Sequence, residues 1–292
     1  MERVVTVGLD GSPESLAAAH WAADEAERRT LTLRLLHAWP LLAPEPTRIP
    51  SEIDQNYWAK RLVHDAKAEL HTHHPGLTVI GSLVADDASD ALLRAASESE
   101  MLVLGSRGLT PVESYFLGDI SMTVVARAER PVVLVRADER AEEPSTFESG
   151  AAGGVVVVGL KLHGACDDLL EFAFTTAAVR GVPLRAVHGR SIPIHAYAPW
   201  GVDHTVTQKE RQDAQKHLSQ TLRPWREKFP GVTVTDTIRL DSPARAVVAA
   251  AKGAELLIVG RRSHPVPVPR LGPVVQAAAH HARCPVAVIP HD

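Results

Sequence analysis

The chain has 292 residues, 45% of them hydrophobic and 23% charged, which is ordinary globular usage and enough for two domains rather than a disordered segment. Its formal net charge of −4 provides no field to attract nucleic acid or an anionic membrane surface, and no apolar run approaches the roughly 20 residues that span a bilayer. Two cysteines, Cys166 and Cys284, are too few and too far apart for a disulfide framework or clustered zinc spacing, and are expected to be reduced and buried.

Taken in chain order, the first segment, MERVVTVGLDGSPES, enters a strand pattern at once and has no signal-peptide h-region, so a cytoplasmic chain is expected. Val4–Leu9 is the first predicted strand. Ser12 as N-cap and Pro13 at the first helical position predict a helix over Pro13–Arg29. A strand over Leu31–Leu36, a helix over Ile53–His73, a strand over Leu77–Val84 and a helix over Ala88–Glu98 follow. Met101–Gly105, a helix over Ile120–Ala128 and Val132–Val135 complete the series. The strand candidates are near-continuous apolar runs, as expected for parallel strands buried on both faces. Alternation of strand and helix predicts a doubly wound α/β sheet, and five strands are too few for an eight-stranded barrel. Asp86-Asp87 is expected to place negative charge at a helix N-terminus.

The pattern then repeats. GLTVIGSLVADDASDALLRAASESEMLVLGSRG from Gly76 aligns without a gap with GVTVTDTIRLDSPARAVVAAAKGAELLIVGRRS from Gly231. VVTVGLDGS from Val4 matches VVVVGLKLH from Val155, LRLLHAW from Leu33 matches LRAVHGR from Leu184, and RPVVLVR from Arg130 matches CPVAVIP from Cys284. A repeat of this length means a duplicated domain. The expected division is a first domain over 1–138, a polar, Gly-rich linker over 139–153 and a second domain over 154–292.

In an open parallel sheet, ligands bind beyond the carboxyl ends of the strands at the switch in winding direction. The first strand runs into Gly8-Leu9-Asp10-Gly11-Ser12. The fourth ends in Gly105-Ser106-Arg107-Gly108, and nine residues later Gly118-Asp119-Ile120-Ser121 opens a helix. Glycines let backbone N–H groups approach a ligand, and a helix N-terminus offers the positive end of its dipole, so these segments could cradle phosphate. The Asp10 carboxylate would suit a ribose hydroxyl or an adenine amino group.

The Gly-x-x-Gly, nine-residue, Gly, small-polar pattern, with the VGLDGS opening and the RPVVLVR finish, resembles the universal stress protein family across the whole first copy. The resemblance implies two adenine-nucleotide alpha-hydrolase-like domains, each with a five-stranded parallel sheet in the order 3-2-1-4-5. It implies ATP, with or without Mg2+, held by Leu9, Asp10 and Ala38 at adenine and ribose. Gly105, Arg107, Gly108, Gly118, Asp119, Ile120 and Ser121 would surround ribose and phosphates. ATP-binding members usually have Ser or Thr where this chain has Asp119, a carboxylate expected to repel phosphate by about 1 kcal/mol or more unless Arg107 or a cation screens it. A stress-response role, pairing of the two domains through Val132–Val135 and Val286–Ile289 about a pseudo-twofold axis, and room for a homodimer are also implied.

In the second copy Lys161 stands at the place of Asp10, and the loop reads Gly260-Arg261-Arg262-Ser263, then Gly272-Pro273 after eight residues. One glycine is lost and Pro273 has no N–H to give, so a degenerate nucleotide site is expected, with Lys161, Arg261 and Arg262 solvated or holding another anion. His71, His73, His74, His280 and His281 lack ligand spacing with a further partner and are expected to be solvated or capping. Ser12 and Ser15 have no His–Asp partner, and no base or metal-carboxylate set is positioned for more than slow ATP hydrolysis. The alternative function is a non-nucleotide docking module with both sites decayed.

Overall fold

The computed structural model describes residues 3–39, 51–106, 119–137, 154–162, 164, 166–192, 196–198, 201–202, 204–262 and 271–291. The chain divides into two units, Met1–Pro144 and Ser145–Asp292. The expected linker falls outside the described residues.

The first unit runs β1 (Val4–Gly8), α1 (Pro13–Arg29), β2 (Thr32–Trp39), α2 (Ser51–His73), β3 (Val79–Ala85), α3 (Ala88–Ser97), β4 (Met101–Gly105), α4 (Asp119–Arg127) and β5 (Val132–Val135). Its strands are all parallel, in the order β3-β2-β1-β4-β5, so β1 and β4 meet at the switch between the two winding directions. The second unit has β6 (Val156–Gly159), α5 (Asp167–Arg180), β7 (Leu184–Gly189), two-residue strands β8 (Tyr197–Ala198) and β9 (Gly201–Val202), and α6 (His204–Lys228). After these come β10 (Val234–Arg239), α7 (Pro243–Ala250), β11 (Leu256–Arg262), α8 (Pro273–His281) and β12 (Val286–His291). Its five long strands are ordered β10-β7-β6-β11-β12, the same winding.

The duplication extends to hydrogen-bond register. Val5 lies beside Leu33 and Met101 in the first sheet, as Val156 lies beside Leu184 and Leu256 in the second. Leu33 pairs with Val79 as Leu184 pairs with Val234, and Leu102 with Val132 as Leu257 with Val286. Register is fixed by which side chains must face the covering helices, because a slip of one residue would turn every side chain to the wrong face.

Central strands are buried throughout: β1, β4 and β5 contribute Val5, Val7, Leu102, Val103 and Val133 with no appreciable exposure. The outer strands depart from the expected pattern. β3 begins at Val79 rather than Leu77, whose N–H instead closes a turn on His74 O, and most of β3 is exposed or half-buried. An edge strand has one neighbour and less cover, so double burial fails there. β2 runs three residues past the expected Leu36, to Trp39. Arg261 and Arg262, expected in a loop, continue β11 because they pair with Pro290 and His291 of β12.

α1 starts as the sequence predicts, Ser12 Oγ accepting from Ser15 N, and ends on Thr30 in the left-handed region at φ 56°. Its counterpart in the second unit is Gly181 at φ 67°. Thr is β-branched and strained there, whereas Gly is not. Thr30→Gly should therefore raise stability by about 0.5–1 kcal/mol, read by urea denaturation, even after the greater freedom of glycine in the unfolded chain.

Candidate functional site

At the carboxyl ends of β1 and β4 the first unit opens into a cleft of about 340 Å³. Leu9, just beyond β1, donates its N–H to Leu36 O at 2.8 Å and accepts at its carbonyl from His37 Nδ1 at 2.8 Å, which pins the chain at the mouth. A Cβ at Gly8 would lie 2.9 Å from Leu104 Cδ2, so a side chain there would require Leu104 to shift. Gly11, at φ +83°, then turns the chain into α1.

This turn is braced by its own side chains. Asp10 Oδ1 accepts from Ser12 N at 2.9 Å and from Ser12 Oγ at 2.5 Å, while Ser15 Oγ donates to Ser12 O at 2.9 Å. Both of these bonds to the carboxylate stay within the loop. Asp10 is exposed at the mouth, able to accept from a ligand while it shapes the turn.

Leu36, Ala38, Ala88, Leu92 and Leu104 form an apolar wall, and Gly105, Ser106, Ile120 and Ser121 close the far side. Gly105 serves helix packing directly: a Cβ there would stand 2.6 Å from the carbonyl carbon of Glu14 and 2.7 Å from Ser15 N. Ser106 donates its N–H to Val135 O at 2.7 Å, yet its buried hydroxyl has no hydrogen-bond partner among the described residues. Two carboxylates, Asp10 and Glu14, line the cleft, and no Lys or Arg does so among the described residues.

Of the residues expected to hold a nucleotide, Leu9, Asp10, Ala38, Gly105, Ile120 and Ser121 lie together on this cleft. Arg107, Gly108 and Gly118 lie outside the described residues. Asp119 opens α4, and its side chain also lies outside them. Sequence reasoning missed Glu14 and Ser106, the apolar wall, and the place of Ser15 on the cleft. Leucines at such positions read as core, and Ser106 sits in the quoted Gly-Ser-Arg-Gly run without a pattern of its own.

The other candidates separate. Asp87 caps α3, accepting from Ser89 N at 2.9 Å and Asp90 N at 3.2 Å. Asp86 is held below the usual carboxylate range by the hydrogen bond from Arg94 first and by the N–H of Asp87 second. His74 is not solvated: just past the end of α2 it is buried against α1, with Nδ1 2.8 Å from Glu27 Oε2. No group of three or more His, Cys, Asp or Glu side chains among the described residues could hold a metal ion, and no helix among them is long and apolar enough to cross a membrane. The cysteines are only partly buried; at Cys166, burial first and the Asp167 charge second push the thiol pKa up.

Residues 1–136, and again 154–290, match the Universal stress protein family. The chain belongs to this family. Universal stress protein Rv2005c of Mycobacterium tuberculosis is 32% identical over 293 aligned residues, covering 97% of this chain and 96% of the relative. Universal stress protein Rv2623 of the same species is 30% identical, covering 97% and 95%. Among solved structures, a universal stress protein from Archaeoglobus fulgidus covers 99% of this chain and 98% of its own at a TM-score of 0.71 and 16% identity, a likeness of fold.

In the universal stress fold of the first unit, the cleft requires close contact between α1 and β4. Gly105→Ala should cost about 1–3 kcal/mol in chemical denaturation, because the clash is with backbone rather than with a yielding side chain. Gly76→Ala, where a Cβ meets nothing within 4 Å, should stay within about 0.5 kcal/mol of the parent.

Proposed function

We propose that the first domain is an adenine-nucleotide receptor, binding ATP with or without Mg2+, and that its occupancy adjusts a partner or the protein's own assembly in a stress response. The observation that carries this reading is the combination, in one cleft, of an apolar wall with the buried hydroxyl of Ser106, which has no hydrogen-bond partner among the described residues. Native proteins rarely leave a buried polar group unpaired, and such a group in a cleft suits a ligand atom. Leu36, Ala38, Leu92 and Leu104 suit the flat face of a purine, and the volume lies within the range of small-molecule sites.

The polar groups fit the nucleoside better than they fit bare phosphate. Asp10 and Glu14 accept hydrogen bonds, which suits ribose hydroxyls and the adenine amino group. Phosphates would extend toward the N-terminus of α4, where Ile120 and Ser121 lie in the first turn and backbone N–H groups lack helical acceptors. Bound Mg2+ or Arg107 would offset the repulsion between phosphate and nearby carboxylates. In this reading one tight nucleotide is held per chain, because Lys161 replaces Asp10 in the second domain and Pro273 removes a helix-start N–H.

Calorimetric titration with ATP and Mg2+ tests this reading. The expected stoichiometry is near one, with Asp10→Ala weakening binding about tenfold or more. Ser106→Ala separates binding from folding. With no protein partner to lose among the described residues, it should leave stability unchanged or slightly higher while weakening ATP by about threefold to tenfold. Two equivalent tight sites, or full affinity in both variants, would refute the assignment.

A further inference from the structure

The second unit holds a larger cavity, about 890 Å³, at the corresponding strand ends, and its electrostatic character is reversed. Lys161, Arg190, Arg261 and Arg262 line it together with His188 and His291, and no Asp or Glu lines it among the described residues. Arg190 is paired with Glu210 at 2.5 Å. The extension of β11 places the two arginines here: pairing of Arg261 and Arg262 with Pro290 and His291 carries the strand beyond Gly260 to the cavity mouth.

Backbone groups reinforce the side chains. The N-termini of α5, α7 and α8 reach the cavity through Cys166, Ser242 with Pro243, and Gly272 with Pro273. Ser242 caps α7, whereas among the described residues no side chain caps α5 or α8 at Cys166 or Gly272. In α8 the Pro273 position gives no N–H, yet Val274 and Val275 follow in the first turn and line the cavity. Helix starts of this kind carry partial positive charge and suit anions.

One framework bond is retained from the duplication. His188 Nδ1 donates to Leu160 O at 2.9 Å, as His37 Nδ1 does to Leu9 O in the first unit. The mouth is therefore built alike in both units, and the change from Asp10 to Lys161 acts at a matched position. A carboxylate there receives ligand donors; an ammonium group repels them and attracts ligand oxygens.

We infer that the second-unit cavity is a receptor for a compact polyanion of the condensed-phosphate class, recognised by charge and helix starts rather than through an adenine base. This inference is independent of nucleotide binding in the first domain. Roomy and basic, the cavity accepts several linked phosphate groups, and the cations at its mouth make binding sensitive to ionic strength.

Inorganic tripolyphosphate, titrated calorimetrically into the full chain, is the test, with adenosine and sulfate as comparison probes. Tripolyphosphate should bind, adenosine should not compete, and sulfate should bind at least about tenfold more weakly. Lys161→Asp should weaken tripolyphosphate about tenfold or more and Lys161→Arg should restore it, while the tight ATP site stays intact. A Lys161→Asp, Arg262→Asp double variant with unchanged circular dichroism and unchanged tripolyphosphate affinity would overturn the inference. Equal affinity for sulfate would do the same. Loss of ATP binding in the parent with tripolyphosphate binding retained would instead refute only the nucleotide assignment.

Discussion

The first turn of α1 lies against the end of β4 at a separation that only glycine at position 105 permits, with a Cβ there falling 2.6 Å from the Glu14 backbone. That contact brings the Asp10–Ser15 turn over the strand ends, and Ser15 and Ser106 are both buried at the cleft. The turn holds its shape through Asp10, Ser12 and Ser15, which bond to one another. Apolar packing supplies the rigidity beneath: the buried side chains of β1, β4 and β5 leave little freedom for the strand ends to move. The cleft is thus largely preformed, which lowers the ordering penalty that a ligand must overcome.

The two units show how one backbone plan can serve opposite chemistry. Four matched strand registers and the matched histidine bonds preserve the framework, while a few residues at the strand ends reverse the charge. Asp10 and Glu14 line the first cleft; Lys161, Arg261 and Arg262 line the second. Duplication frees the second site from the requirements of the first, since the core that sustains each sheet lies below the strand ends. Family membership accounts for the shared framework, and the ligand of each site follows from its own side chains.

Most of the fold was legible in the sequence because central parallel strands are uniform apolar runs and because the repeat displayed each element twice. Ser12 and Pro13 announced α1 through local chemistry alone. The edge strands were less legible: Val79–Ala85 is half-exposed, so it lacks the uniform burial that marks β1. Arg261 and Arg262 looked like loop residues because their strand character comes from a long-range pairing with β12. At the site, Asp10 and Gly105 stood out through turn and acceptor chemistry and Leu9 only through the family resemblance, whereas Leu36, Leu92 and Leu104 could not be told from core leucines. The hydroxyl of Ser106 acquires meaning only once burial and the lack of a partner among the described residues are known.

The most direct measurement of the central claim is amide chemical-shift mapping of the full chain during titration with ATP and Mg2+. The account predicts saturable shifts concentrated at Leu9, Asp10, Ala38, Gly105 and Ser106, with the amino ends of the same strands, at Val4 and Met101, unmoved. Shifts confined to the amino ends, or none at millimolar ATP, would contradict it.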